Sequence, residues 1–324
     1  MLSRTLRTTI FSTAVALGAA AFWSLASAQE SYPSRPVKII IGVGPGSGTD
    51  SIARLVAQEM TAVFKQPFIV ENKPGASVQI AATFVKNASP DGYTLFLTSS
   101  SSHSINPHIF KTLPYDPIKD YTPIGAIADF PFVLAVNPNL PIKTPQDLVR
   151  WAHANKGNVN YAYGTPAVRI PVDALNKIMK LDAVGIPYKS SPDAMADVMG
   201  GRIAFMVTDI GVIKAGTLRA IATTGAKRTS LAPTLPTIEE SLGIPNFDLA
   251  AWTGLFGPAG LPQDVVDKLS NALLEMLNRP DIRERMLGFG AEAAPTTPKG
   301  LVELVKRQLD AWGAKVKDAG IQPE

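Results

Sequence analysis

Val37-Lys38-Ile39-Ile40-Ile41-Gly42-Val43-Gly44-Pro45-Gly46-Ser47-Gly48-Thr49-Asp50-Ser51-Ile52-Ala53-Arg54-Leu55-Val56 passes from a β-branched run through a glycine-rich loop into a helix. Val37 to Val43 is short and almost wholly apolar, as a buried strand requires. A period of 3.6 then places Ile52, Leu55, Val56, Met60 and Val63 on one face of a helix from Asp50 to Phe64. Strand, loop and helix in that order open an α/β fold.

The alternation continues outward with a strand at Phe68 to Val70, a helix at Val78 to Asn87, a Pro90-Asp91-Gly92 turn and a strand at Thr94 to Thr98. It predicts a mostly parallel sheet covered by helices. The apolar runs Ile124 to Ala128 and Phe132 to Val136 flank Asp129-Phe130-Pro131, where the chain crosses to a second sheet. That sheet draws on Val159 to Tyr163, Ala183 to Ile186, Ile203 to Val207 and Leu218 to Thr223. Thr144-Pro145-Gln146-Asp147 is a helix start with a hydroxyl cap, Pro at the first helical position and an early acid; Ser191-Pro192-Asp193 repeats it. Phe247 to Phe256 is the return crossover, and helices Pro262 to Asn278 and Thr297 to Lys317 follow. The expected organisation is a segment 1–28, a first lobe of 29–130 with 252–324, and a second lobe of 131–251, joined by two crossover hinges.

At the amino terminus Arg4 and Arg7 precede an apolar run from Ile10 to Leu25 and then Ala26-Ser27-Ala28, the pattern of a secretory signal peptide cleaved after Ala28. The apolar run is shorter than the roughly 20 residues that span a bilayer. The expected location is therefore periplasmic. Removal leaves 324 − 28 = 296 residues, enough for two domains. Without Arg4 and Arg7 the formal charge of +4 becomes about +2, and the basic residues are scattered, so no nucleic-acid partner is implied. There is no Cys, which excludes disulfides and thiolate sites.

Strand-to-helix loops are where α/β proteins hold ligands, because backbone N–H groups and helix N-termini converge there. The first candidate is Pro45, Gly46, Ser47, Gly48, Thr49 and Asp50, a nest for an anion such as a carboxylate. It lacks both the spacing of a dinucleotide fingerprint and the Lys of a P-loop. A tight turn and a helix cap are its plainer reading. The second is the serine run Ser99 to Ser102 with His103, read as a loop in which Ser100, Ser101, Ser102 and His103 supply small donors. In the second lobe Thr165 and Arg169 follow a strand, with Arg169 a candidate bidentate partner for a second acid group. Asp209 follows another strand and would accept from an amine or water across the cleft. With three His, no HExxH and no Gly-x-Ser-x-Gly elbow, neither a metal, a cofactor nor a catalytic residue is assigned.

The chain resembles the Bug-type, or tripartite tricarboxylate transporter, substrate-binding receptors. The resemblance rests on Tyr32-Pro33-Ser34-Arg35-Pro36, Pro45 to Asp50, Glu71-Asn72-Lys73-Pro74-Gly75-Ala76, Pro90-Asp91-Gly92-Tyr93-Thr94-Leu95, Leu113-Pro114-Tyr115-Asp116-Pro117, Pro187-Tyr188-Lys189, Lys214 to Ala220 and Pro258-Ala259-Gly260, in that order. It implies a two-lobed periplasmic binding protein, type II-like, a monomer that closes on a small carboxylate and works with membrane subunits of a transporter. It also implies contacts from the loop near Ser77. This chain departs from the family there, reading Pro74-Gly75-Ala76-Ser77-Val78 where Pro-Gly-Ala-Gly-Gly is usual. Two other functions fit the same residues: an exported hydrolase or transferase using Ser47 or the serine run with His103, and a ligand sensor for an envelope kinase.

Overall fold

The computed structural model describes residues 32–211, 216–225, 227–245, 247, 249–318 and 320–323; the expected signal segment and Lys214-Ala215 lie outside the described residues. Strand β1 (Val37–Ile41) lies between β2 (Phe68–Asn72) and β3 (Thr94–Ser99), parallel to both. Neighbours on both edges and helices on the faces leave only Lys38 exposed, which accounts for the β-branched run. The sheet continues with β4 (Tyr121–Phe130), β10 (Ala251–Pro258) and β11 (Glu292–Ala293) in the order β11-β4-β10-β3-β1-β2.

The second sheet has β5 (Phe132–Val136), β6 (Asn160–Tyr163), β7 (Val184–Pro187), β8 (Phe205–Asp209) and β9 (Arg219–Thr223) in the order β7-β6-β8-β5-β9. Neither sheet is mostly parallel, contrary to expectation. Only Pro131 separates β4 from β5, and β5 enters between β8 and β9 antiparallel to both, while β10 returns antiparallel between β3 and β4. The chain leaves the first lobe along β4 and comes back into it along the neighbouring β10, so those two strands run antiparallel.

Helices α1 (Gly48–Phe64), α2 (Gln79–Lys86) and α3 (Asn106–Ile109) belong to the first lobe. The second lobe carries α4 (Pro145–Ala154), α5 (Pro166–Met179), α6 (Ser191–Met199) and α7 (Ile238–Leu242). The carboxy-terminal α8 (Gln263–Asn278), α9 (Pro280–Gly288) and α10 (Pro298–Asp318) return to the first. Helix α6 starts one residue before the expected position: Ser190, not Ser191, caps it by accepting from the Asp193 amide at 3.4 Å. Helix α9 was not expected, since Pro280 reads as a stop as readily as a first helical residue.

Each lobe has its own core. Ile40, Phe96, Tyr121, Trp252, Phe256 and Leu301 anchor the first, and Val133, Ala162, Val198, Ile203 and Met206 the second. Helix α10 packs on β4 and also touches α5, so the carboxy-terminal helix meets both lobes. Among the described residues no helix is long and apolar enough to cross a membrane.

Candidate functional site

The loop between β1 and α1 is shaped by its own hydrogen bonds. Ser47 caps α1, its Oγ accepting from the Asp50 amide at 3.2 Å and donating to the Gly44 carbonyl at 3.1 Å. Gly46 turns the chain with φ of 81°, a conformation side chains resist. Its amide donates to Asp50 Oδ2 at 3.1 Å, and Asp50 also takes Arg54 Nε at 2.9 Å, Arg54 Nη2 at 3.0 Å and Asn72 Nδ2 at 2.9 Å. Burial works to raise the Asp50 carboxyl, but the bonds from Arg54, Asn72 and Gly46 outweigh it and hold it below the usual carboxylate range. Asp50 is thus a brace for the loop with its oxygens turned away from solvent, which corrects its expected place among ligand contacts. The amides of Gly48 and Thr49 have no intrahelical acceptor and remain presented at the helix end.

They face a narrow cleft between the lobes with a cavity volume of about 60 Å³. Ser47, Gly48, Thr49, Ser99, Ser101 and Thr253 line its first-lobe side. The second-lobe side is formed by the starts of two further helices: Thr165, Ala167 and Val168 of α5, and Ser190 and Ser191 of α6. Three helix N-termini therefore converge, each bringing partial positive charge and free N–H groups. Thr165 caps α5 by position only, its hydroxyl making no cap bond. Phe130, Phe132 and Ala251 close the hinge side, and exposed Lys189 is the one basic side chain on the lining among the described residues.

Several expected contacts lie elsewhere. The serine run is not a loop: Ser101–Ile105 form a single π turn packed beneath α10, and Ser100, Ser102 and His103 are fully buried in the first lobe. His103 is ringed by Phe96, Tyr121, Trp252 and Phe256, its ring 4.2 Å from that of Phe256, and its Nδ1 meets Ser102 Oγ at 2.8 Å. Burial pushes its pKa down to about 3, so it stays neutral and out of reach of ligand. Of the run, only Ser99 and Ser101 reach the cleft. Arg169 lies in the first turn of α5, gives Nε to Asp173 at 3.0 Å, stands 5.1 Å from the centre of the Tyr163 ring, and lines a separate small cavity with Ser77 and Gln322. The bidentate clamp expected of it is replaced by this ion pair one helical turn away. Pro45 and Ser77 line the outer continuation of the cleft beside Tyr188 and Lys189.

Asp209 ends β8 opposite Phe132 and points at the start of α1: a methyl built on Gly48 would sit 3.3 Å from Asp209 Oδ2. It is the one expected second-lobe acid that the fold brings to the cleft. Sequence reasoning missed Ser190, Ser191 and Thr253, and named Ser99 only as the start of the serine run. Ser190 and Ser191 carried a usable signal, since their loop follows β7 and opens a helix as the glycine loop follows β1. Thr253 had none: it sits mid-strand in β10, and only pairing with Ser99 brings it to the cleft.

Two α/β lobes joined by crossing strands, with helix N-termini gathered on the cleft between them, define the two-lobed class of solute-binding receptors. The chain belongs to the tripartite tricarboxylate transporter family receptors, TctC, whose family model matches residues 52–321. It is 33% identical over 308 residues to a UPF0065 protein from the TAR-I ttuE-ttuC' intergenic region of Agrobacterium vitis, covering 91% of this chain and 88% of that protein. It is 29% identical over 300 residues to BugT of Bordetella pertussis, covering 90% and 91%. Similar solved structures include Rpa4515 of R. palustris with adipate (TM-score 0.87, 28% identity, 90% of this chain and 100% of that one). The periplasmic binding protein BugD (0.85, 32%, 90% and 100%) and MatC of Rhodopseudomonas palustris with bound malate (0.81, 30%, 88% and 100%) are similar too.

Proposed function

We propose that this chain is an exported, periplasmic receptor that captures a small carboxylate between its lobes and delivers it to the membrane subunits of a tripartite tricarboxylate-type transporter. The convergence of three helix N-termini on one cleft carries this reading. Amides at Gly48 and Thr49, with the hydroxyls of Ser101 and Thr165, offer donors to an anion without a buried cation. Adipate and malate in the related receptors support the same ligand class. Capture without turnover agrees with a neutral His103 whose only hydroxyl partner, Ser102, is buried with it.

A thermal-shift screen of mono-, di- and tricarboxylates, aromatic acids included, tests capture: a ligand at 100 times its Kd stabilises by about 2.7 kcal/mol. No stabilisation by any carboxylate would remove the proposal. Delivery is tested by uptake into vesicles bearing the membrane subunits, which should require added receptor. Export is tested by sequencing the protein recovered from periplasm, which should begin at Gln29.

A further inference from the structure

We infer that the carboxy-terminal tail is a latch between the lobes: carried on the first lobe by α10, it seats Ile321 against the start of α5 and biases the chain toward the arrangement in which the cleft is shut. The inference goes beyond the receptor reading, since it needs the two lobes and no particular ligand.

The direction of the tail is set by local chemistry. Gly320 turns with φ of 69°, its amide donates to the Lys317 carbonyl at 2.9 Å, and the Ile321 amide donates to the Val316 carbonyl at 3.1 Å. Those two bonds are the glycine-ended helix cap in which the residue after the glycine packs back on the last turn; here the two positions hold Ile321 and Val316, both apolar. The cap aims Ile321 instead of letting the end fray. The helix behind it is anchored to the first lobe. It packs on β4, and His108 of α3 donates Nε2 to the Leu309 carbonyl at 2.8 Å. A methyl built on Gly313 would lie 2.6 Å from His108 Cε1, so the imidazole rests directly on the α10 backbone.

The second observation comes from the other lobe. Half-buried Ile321 and Gln322 line a cavity of about 80 Å³ whose second-lobe wall is Thr165, Arg169 and Ile170 at the start of α5. Lys177, in the last turn of the same helix, also reaches the tail: a methyl built on Gly320 would lie 2.2 Å from Lys177 Nζ. Thr165 lines the cleft as well. The start of α5 is therefore held between the cleft on one side and the tail on the other. Helix α5 travels with the second lobe and the tail with the first, so parting the lobes draws Ile321 away from Ile170 and returns apolar surface to water. A contact made in one arrangement and lost in the other shifts the balance between them toward the one that keeps it.

The absence of Cys lets two introduced cysteines take spin labels cleanly, Asn87→Cys at the exposed end of α2 and Ala196→Cys on the exposed side of α6, one on each lobe. Electron–electron double resonance then compares lobe-to-lobe distances in the mature chain, a chain ending at Asp318, Ile321→Ser and Ile321→Leu. Truncation and Ile321→Ser should each move the closed-to-open ratio about tenfold toward open, about 1.4 kcal/mol. Ile321→Leu should keep the distribution of the unaltered chain. Identical distributions in all four overturn the inference; so does an equal shift from Ile321→Leu and Ile321→Ser, which would mark disturbance of α10 and not loss of an apolar contact. With adipate and L-malate as probes, dissociation should be about tenfold faster from the truncated chain at an unchanged association rate. An unchanged dissociation rate also overturns the latch. If neither probe binds any of the four proteins, that result bears on the receptor reading alone, and the distances still decide the latch.

Discussion

The most strained residues are Ala76, Ser77 and Val78, with φ of 44°, 50° and 75° in succession after Gly75. Each left-handed non-glycine residue costs about 1–2 kcal/mol. Two contacts sustain them. Asn106 Nδ2 donates to the Ser77 carbonyl at 2.8 Å, and the Val78 side chain occupies the space above Gly42, where a methyl would meet Val78 Cγ1 at 2.3 Å. Ser77→Gly should therefore raise stability by about 0.5–1 kcal/mol after the entropy of glycine is counted. Val78→Gly should lower it, because the side chain is part of the first-lobe core. Urea midpoints for the pair decide the matter; a destabilised Ser77→Gly would show that the conformation carries no strain. The substitution of Ser77-Val78 for the family's usual glycines was legible in the sequence, but its left-handed geometry was not.

Among elements, the cap of α4 was legible and the convergence of helix starts was not. Thr144 and Asp147 were expected to start a helix and form a full capping box, Asp147 N to Thr144 Oγ1 at 3.1 Å and Thr144 N to Asp147 Oδ2 at 3.0 Å. Such bonds join residues three apart, so local sequence decides them. The start of α1 is different, because Gly48 faces Phe130 and Asp209 from distant strands. A methyl at Gly48 would lie 3.0 Å from Phe130 Cε1 and 3.3 Å from Asp209 Oδ2. Gly48→Ala should hold the lobes apart, weakening ligand about tenfold, or about 1.4 kcal/mol. Small-angle scattering should show failure to contract on adding ligand. Unchanged affinity and normal contraction would mean that this approach does not limit closure.

At the level of the whole molecule, buried His103 and half-buried Asp209 tie stability to pH with opposite signs. His103, lowered to about 3, cannot take the proton that the unfolded chain accepts below about 6.5, so its contribution is complete above 6.5 and is lost as pH falls toward 3. Asp209, raised to about 6 from 3.8, keeps a proton that the unfolded chain has released, so stability falls as pH rises from about 4 to 6. Each slope approaches about 1.4 kcal/mol per pH unit where one proton separates the states. Between pH 4 and 6 the two oppose each other. Asp209→Asn should therefore gain stability over the unaltered chain as pH rises through that window, by on the order of 2 kcal/mol. Thermal unfolding of both proteins from pH 4 to 7 measures this; a constant difference across the range would contradict the placement of Asp209.

The amino-acid sequence by itself determined the α/β class, the two lobes, most strand and helix positions and the glycine loop, since periodicity, capping and turn chemistry act between residues a few positions apart. Burial, strand register and lobe facing act between residues that are distant in the chain, and only the tertiary structure decided them. Register across β3 and β10 carried Thr253 to the cleft, and packing beneath α10 withdrew His103 from it. Asp209, read from the sequence as an acceptor after a strand, is brought by the end of β8 against Gly48 of α1. Such placement beside residues distant in the chain is what turns a residue type into a site.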